Sequence, residues 1–275
     1  MTPGAMETLE LLSIQLTLIA IVLVMHVYIG LHIIRRGLIF SDLALDQLAA
    51  FGTIIAVAAG MGYACVASYV FAFIAVLAGS YLLAYVKPRN ERVPREAVIG
   101  IIYALAFTAS LLAADKMSRG GDYVSKTLTG SMLWVTWPLV IVTCAVYIAL
   151  LFFHYLRREK FLALADEKAN IKNVEFWDFL FFLTQGIITV LIVPVAGVLL
   201  AYGFLMIPAA IAVMFTEGWL TGMLIGWTSG FIACLAGALT AYRFDLSYGP
   251  TLLLFLGFFF FSAMIIRGFV IWRKK

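Results

Sequence analysis

Of the 275 residues, 64% are hydrophobic and only 12% charged, with a mean hydropathy of +1.05. A soluble domain of that composition would lack polar residues for its surface, so soluble enzymes and binding modules are excluded. The net charge of +4 and pI near 8.9 give no argument for a nucleic-acid partner, and the strand-by-strand alternation of a barrel is absent.

Apolar runs long enough for a ~30 Å hydrocarbon core recur along the chain, which predicts an all-α, polytopic membrane protein. The first run, near 11–34, follows Glu7 and Glu10 with no basic residue before it, so it reads as a true span and not a cleavable signal. Further spans are expected near 38–59, 62–86, 97–114, 130–156, 176–194, 196–215, 219–241 and 250–272, eight to nine in all. The 196–215 run lies between Pro194 and Pro208 and contains Gly197 and Gly203. It reads as a full span or as a broken, re-entrant helix, with Gly203 and Pro208 as the candidate gate or helix break. No linker or internal repeat stands out, so residues 1–275 are taken as one integral membrane domain.

Basic residues cluster at Arg35–Arg36, at Lys87, Arg89, Arg92 and Arg95, at Arg157–Lys172, and at Arg273–Lys275. Alternating crossings from an outside N-terminus put all four clusters on the cytoplasmic side, with a cytoplasmic C-terminus. The loop DKMSRGGDYVSK then falls outside. Cys65, Cys144 and Cys234 have neither disulfide nor metal-ligand spacing, and the ten methionines are dispersed, so both sets read as packing residues.

Two aspartates interrupt the second span. Asp42 and Asp46 are four residues apart, on one helix face, and each costs roughly 3 kcal/mol in lipid unless it faces protein, water or a cation. Two readings stand: a structural role, as a buried pair holding helices together or with Asp42 solvated at a helix N-terminus beside Ser41, or a transport path. Asp46 lies ten residues beyond Arg36, roughly 15 Å along a helix, near the membrane middle. Gln47 and His26 are the further path candidates, since His32 and His154 lie nearer span ends.

The connection YLRREKFLALADEKANIKN, about 157–173, carries an apolar stripe of Phe161, Leu162, Leu164 and Ala165 between charged positions. It predicts a short amphipathic helix, lying in the interface or docking a partner, with Asn173 suited to end it in a left-handed conformation. No phosphate loop GxxxxGK[ST] and no HExxH zinc motif occurs, so no catalytic residue is assigned and no cofactor is expected on the chain.

Four patches in order carry a family resemblance. VAGVLLAYGFLMIPAAIAVMFT (Val195–Thr216) resembles the "GVLLV-small-ALLIIPAATA" stretch of the ABC-3 family, the membrane permeases of bacterial zinc, manganese and iron importers. PREAVIGIIYALAF (Pro94–Phe107) resembles its helix start through Arg95, Glu96, Ala97, Ile99 and Gly100, and LTGSMLWVTW (Leu128–Trp137) resembles its fifth-helix start. DEKAN aligns with the family's coupling element at Glu167 and Ala169, with Asn173 where glycine is usual. The resemblance runs from about Arg35 to about Tyr248.

The resemblance implies an ABC importer permease fold in the bacterial inner membrane. It also implies a nucleotide-binding subunit, an extracytoplasmic solute-binding protein, and a second permease copy or paralogue. Coupling to the ATPase would fall on Glu159, Phe161, Leu164, Glu167, Ala169 and Asn173. The family's "GDALSHAVLPG" helix is only partly matched: Asp42 fits its Asp, but Asp46, or Gln47 after a one-residue shift, stands at its His, and Ala50 replaces its Pro. Losing the imidazole favours harder divalent cargo such as manganese over zinc, with Asp42 and Asp46 as the metal candidates. Two rivals stay open: an autonomous carrier moving protons or sodium on Asp42 and Asp46, and a permease of this family with a non-metal solute.

Overall fold

The computed structural model describes residues 3–86, 92–130, 132, 135–165 and 172–272, and among them the only regular elements are helices. In chain order these are α1 (Pro3–Arg36), α2 (Phe40–Ala58), α3 (Val66–Tyr85), α4 (Arg95–Ala114), α5 (Gly120–Thr129), α6 (Trp137–Leu156), α7 (Arg158–Leu164), α8 (Val174–Phe215), α9 (Trp219–Phe244) and α10 (Tyr248–Trp272). Eight of them, all but α5 and α7, are long and apolar enough to cross a membrane. The all-α polytopic class is therefore observed.

The helices group into two compact units. One holds residues 35–130 and 150–202. Its inner helix is α2, buried over 72% of its apolar stretch against 33% in α3 and 22% in α4. The outer helices turn Ile74, Ile101, Leu105 and Leu112 outward, as lipid-facing helices do. A mostly enclosed helix keeps its carboxylates away from hydrocarbon. At Gly52 a side chain would lie 2.6 Å from Ala72 Cα, so glycine lets α2 and α3 touch backbone to backbone.

The other unit holds residues 1–34, 131–149 and 203–275. Leu18, Ile19, Val22 and Leu23 of α1 are fully buried, and Val27 and Leu31 pack with Ala209 and Ala212. The Trp227 indole N–H donates to the Ala20 carbonyl at 2.9 Å, a polar handle suited to a buried aromatic. Only 17% of the α10 stretch is buried, and Leu254, Phe258 and Phe261 face outward.

Three expected boundaries move. The third span begins at Val66, because Gly60 and Ala64 adopt positive φ in the preceding connection. The fifth begins at Trp137 instead of 130, and α5 precedes it as a separate short helix within what read as an external loop. The expected spans 176–194 and 196–215 are the two halves of α8, interrupted at Gly197 (φ 78°, ψ 159°). At 1.5 Å per residue, 174–196 and 198–215 measure roughly 34 and 27 Å, each close to a hydrocarbon thickness.

The break is thus at Gly197 and not at Gly203 or Pro208. Gly203 is helical and admits the Leu253 side chain, while the Pro208 ring packs against Gly230, where a side chain would meet it at 2.9 Å. Gly197 and Gly130 (φ 75°) face each other: a Cβ on Gly197 would lie 2.5 Å from the Leu128 carbonyl, and one on Gly130 would strike the Ala196 backbone. Positive φ and absence of space both demand glycine. Near the break, the Tyr63 hydroxyl donates to the Pro194 carbonyl at 3.3 Å. The Tyr63 ring lies 6.0 Å from Tyr123 of α5 in a stacked arrangement.

Candidate functional site

The chain turns from α1 into α2 at Gly37 (φ 61°), and the Ser41 hydroxyl donates to the Leu38 carbonyl at 2.7 Å. Asp42 follows at 2% exposure and Asp46 at 1%, so the solvated reading of Asp42 fails: both carboxylates are enclosed by protein. The α8 helix supplies their partners. Gln185 Nε2 donates to Asp42 Oδ1 at 3.0 Å, and Thr189 Oγ1 donates to Asp46 Oδ1 at 2.9 Å. Both pairs share one sequence offset, so the two rungs require α2 and this part of α8 to run in the same direction.

Each carboxylate spends one oxygen on that rung. Asp42 Oδ2 and Asp46 Oδ2 are buried without a hydrogen-bond partner, as are Gln185 Oε1 and Gln47 Oε1. Gln47 reaches the Ser110 hydroxyl of α4 through Nε2 at 3.4 Å. Leaving such acceptors dry and unpaired is costly. The donor chemistry is all oxygen: two carboxylates, carboxamides and a hydroxyl, a set that suits hard divalent cations. Among the described residues no three His, Cys, Asp or Glu side chains gather as a metal cluster.

His26 belongs to the other unit. Its Nδ1 lies 3.0 Å from the Val22 carbonyl, an acceptor only, so Nδ1 carries the proton. The ring lies 6.0 Å from Tyr147 and 6.4 Å from Phe204.

A second buried acid in the carboxylate unit lies one to two turns before Gln185. Asp178 forms ion pairs with Arg36 and, at 3.2 Å, with Arg95, whose guanidinium also donates to the Leu83 carbonyl at 2.8 Å. Arg36 further lies 4.9 Å above the Phe181 ring. The ends of α1, α3, α4 and α8 are thereby fastened at one level.

Among its described residues the connection after α6 is helical over Arg158–Leu164. Phe161 is fully buried, its ring 4.0 Å from His154 and within 6.5 Å of Phe181, so it anchors α7 and does not present a contact surface. Glu159 and Asn173 are exposed and Leu164 half-buried. Asn173 adopts positive φ (58°), as expected, but immediately before α8. Glu167 and Ala169 lie outside the described residues. His154 Nε2 donates to the Thr184 hydroxyl at 2.9 Å, because that hydroxyl already donates to the Phe181 carbonyl.

The structure thus joins Asp42, Asp46 and Gln47 in one unit and adds Gln185, Thr189 and Asp178, which the sequence reading missed. A signal for the first two was present: Gln185 and Thr189 repeat the four-residue spacing of Asp42 and Asp46 inside an otherwise apolar run.

Comparison with known proteins places these features. The profile of the ABC 3 transport family matches residues 8–267. A probable metal transport system membrane protein of Chlamydia muridarum is 25% identical over 71% of this chain, and the match spans 66% of that relative's length, just under two thirds. The manganese transport system membrane protein MntC of Halalkalibacterium halodurans is 26% identical over 85% of this chain and 81% of its own. The solved PsaBC of Streptococcus pneumoniae, in complex with Fab, shares the fold with a TM-score of 0.78 at 19% identity, covering 96% of this chain and 95% of that one.

Proposed function

The chain belongs to the ABC 3 transport family, and on that premise we propose that it is the permease subunit of a bacterial ABC importer for a divalent transition metal, with manganese favoured. The observation that carries the cargo class is the pair Asp42 and Asp46, each fixed through one oxygen and buried with the other unpartnered. Two ionised carboxylates one helical turn apart repel each other, and a passing divalent cation relieves that repulsion. A proton or sodium carrier would use the same acids, but family membership argues against autonomous transport.

In this reading ATP is hydrolysed by a separate nucleotide-binding subunit. An extracytoplasmic solute-binding protein delivers the metal, and a second permease, identical or paralogous, completes the complex. The chain acts as one membrane domain in the inner membrane, N-terminus outside and C-terminus cytoplasmic. The matched direction of α2 and the first half of α8 supports the alternation, which in this reading requires the two halves of α8 to cross separately. Glu159, Leu164, Glu167, Ala169 and Asn173 form the coupling surface, with Phe161 holding it to the membrane body. Gly203 and Pro208 act as packing points and not as a hinge.

The test is manganese uptake by the assembled complex in liposomes. Asp46→Asn should abolish uptake while assembly persists, and Asp42→Asn should impair it less, since Asp42 lies nearer the start of α2. Normal uptake by Asp46→Asn would remove the carboxylates from the path.

A further inference from the structure

Between the ends of α1, α4 and α8 lies a cavity of about 220 Å³. Among the described residues its lining includes Arg35, Arg36, Arg95 and one carboxylate, Asp178. Two guanidiniums, those of Arg36 and Arg95, share that acid. Arg36 is 93% buried on its side chain, yet its Nη1 has no acceptor, and Arg95 Nε also lacks one. Buried guanidinium N–H groups without acceptors are rare and costly, and they point to an anion. The starts of α4 and α8, at Arg95 and Val174, add the partial positive charge of two long helices.

The depth and the remaining wall decide which anion. Arg36 closes one apolar span and Arg95 opens another, which is head-group level. Leu38, Leu164, Ala165 and Val174 make part of the wall apolar, and the neighbouring Ile39 and Phe40 are exposed at 41% and 47%. We propose that this cavity binds the phosphate of an anionic phospholipid head group, the guanidiniums taking its oxygens and the apolar wall its glycerol. The site requires the membrane class alone and is independent of the transported cargo.

The test is native mass spectrometry of the permease complex in mild detergent, after equilibration with phosphatidylglycerol or phosphatidylcholine of matched chains. Phosphatidylglycerol should be retained selectively. Arg35→Gln should weaken its retention about fivefold, the share of one basic residue near a lipid phosphate. Ala165→Trp, which fills the cavity without replacing a member of the ion pairs, should remove it, and Ala165→Ser should not, with thermal unfolding confirming that both fold. Equal retention of the two lipids, or full retention by a folded Ala165→Trp, would overturn the site. Displacement of the lipid by excess inorganic phosphate would reassign it to the free ion. Normal lipid retention with loss of the ATPase subunit in Ala165→Trp would reassign it to a carboxylate of that partner.

Discussion

Two sets of buried acids meet the first half of α8, one from within it and one from α2, and they are built on opposite principles. Asp178 is surrounded by charge: two guanidiniums, from Arg36 and Arg95, converge on it. Asp42 and Asp46 meet α8 through neutral donors alone, Gln185 and Thr189, and keep one oxygen each unpaired. A carboxylate closed by cations is a fastener, since opening it exposes charge on both sides. A carboxylate held by one neutral bond is oriented but still able to accept a cation. Identical side chains in one helical bundle thus take different roles according to what faces them.

The largest effect should come from dismantling the fastener. Asp178→Asn leaves Arg36 and Arg95 facing each other without a counter-charge, and loss of a buried pair costs about 3–5 kcal/mol. Thermal unfolding in detergent should show a strongly destabilised or unassembled protein. If Asp178→Asn is as stable as the parent, the two sets do not differ in kind.

A smaller loss is expected where a neutral donor is removed. Thr189→Val keeps the shape but strands Asp46 without its hydroxyl, at about 1–3 kcal/mol by the same measurement. The smallest change in stability belongs to Asp46→Asn, below about 1 kcal/mol, because the amide oxygen still accepts from Thr189 and no buried cation is orphaned. Uptake should nevertheless fail in that variant. A large drop in its melting temperature would sharpen the comparison against us, turning Asp46 into a second fastener.

The spans and the Asp42–Asp46 pair were legible because both are local patterns: apolar length, and a four-residue spacing within one helix. Their partners were not, because Gln185 and Thr189 lie far along the sequence and only packing brings them opposite. Asp178 was hidden for another reason: an acid in the first turns of an apolar run reads as the boundary of a span, and its cations come from two other helix ends. The break in α8 was sought at Gly203 and Pro208, residue types that a buried helix tolerates when neighbours re-satisfy its backbone. It falls instead where a positive φ is required, a property of three-dimensional contact with Leu128 and Gly130. The helix α5 was missed because GGDYVSKTLT is too polar and short for a span and reads as a loop.

The meeting of Gly130 and Gly197 carries a consequence for sequence drift. Each is held at positive φ, and each occupies the space that a side chain on the other strand of the contact would need. Neither position is free to change while the other stays. Among descendants that keep this bend, the two should therefore remain glycine together, and a lineage that loses one should show a shifted connection after α5 along with a straightened or displaced break. The two short motifs LTG and VAG, 67 residues apart and without shared chemistry, would then evolve as a single character.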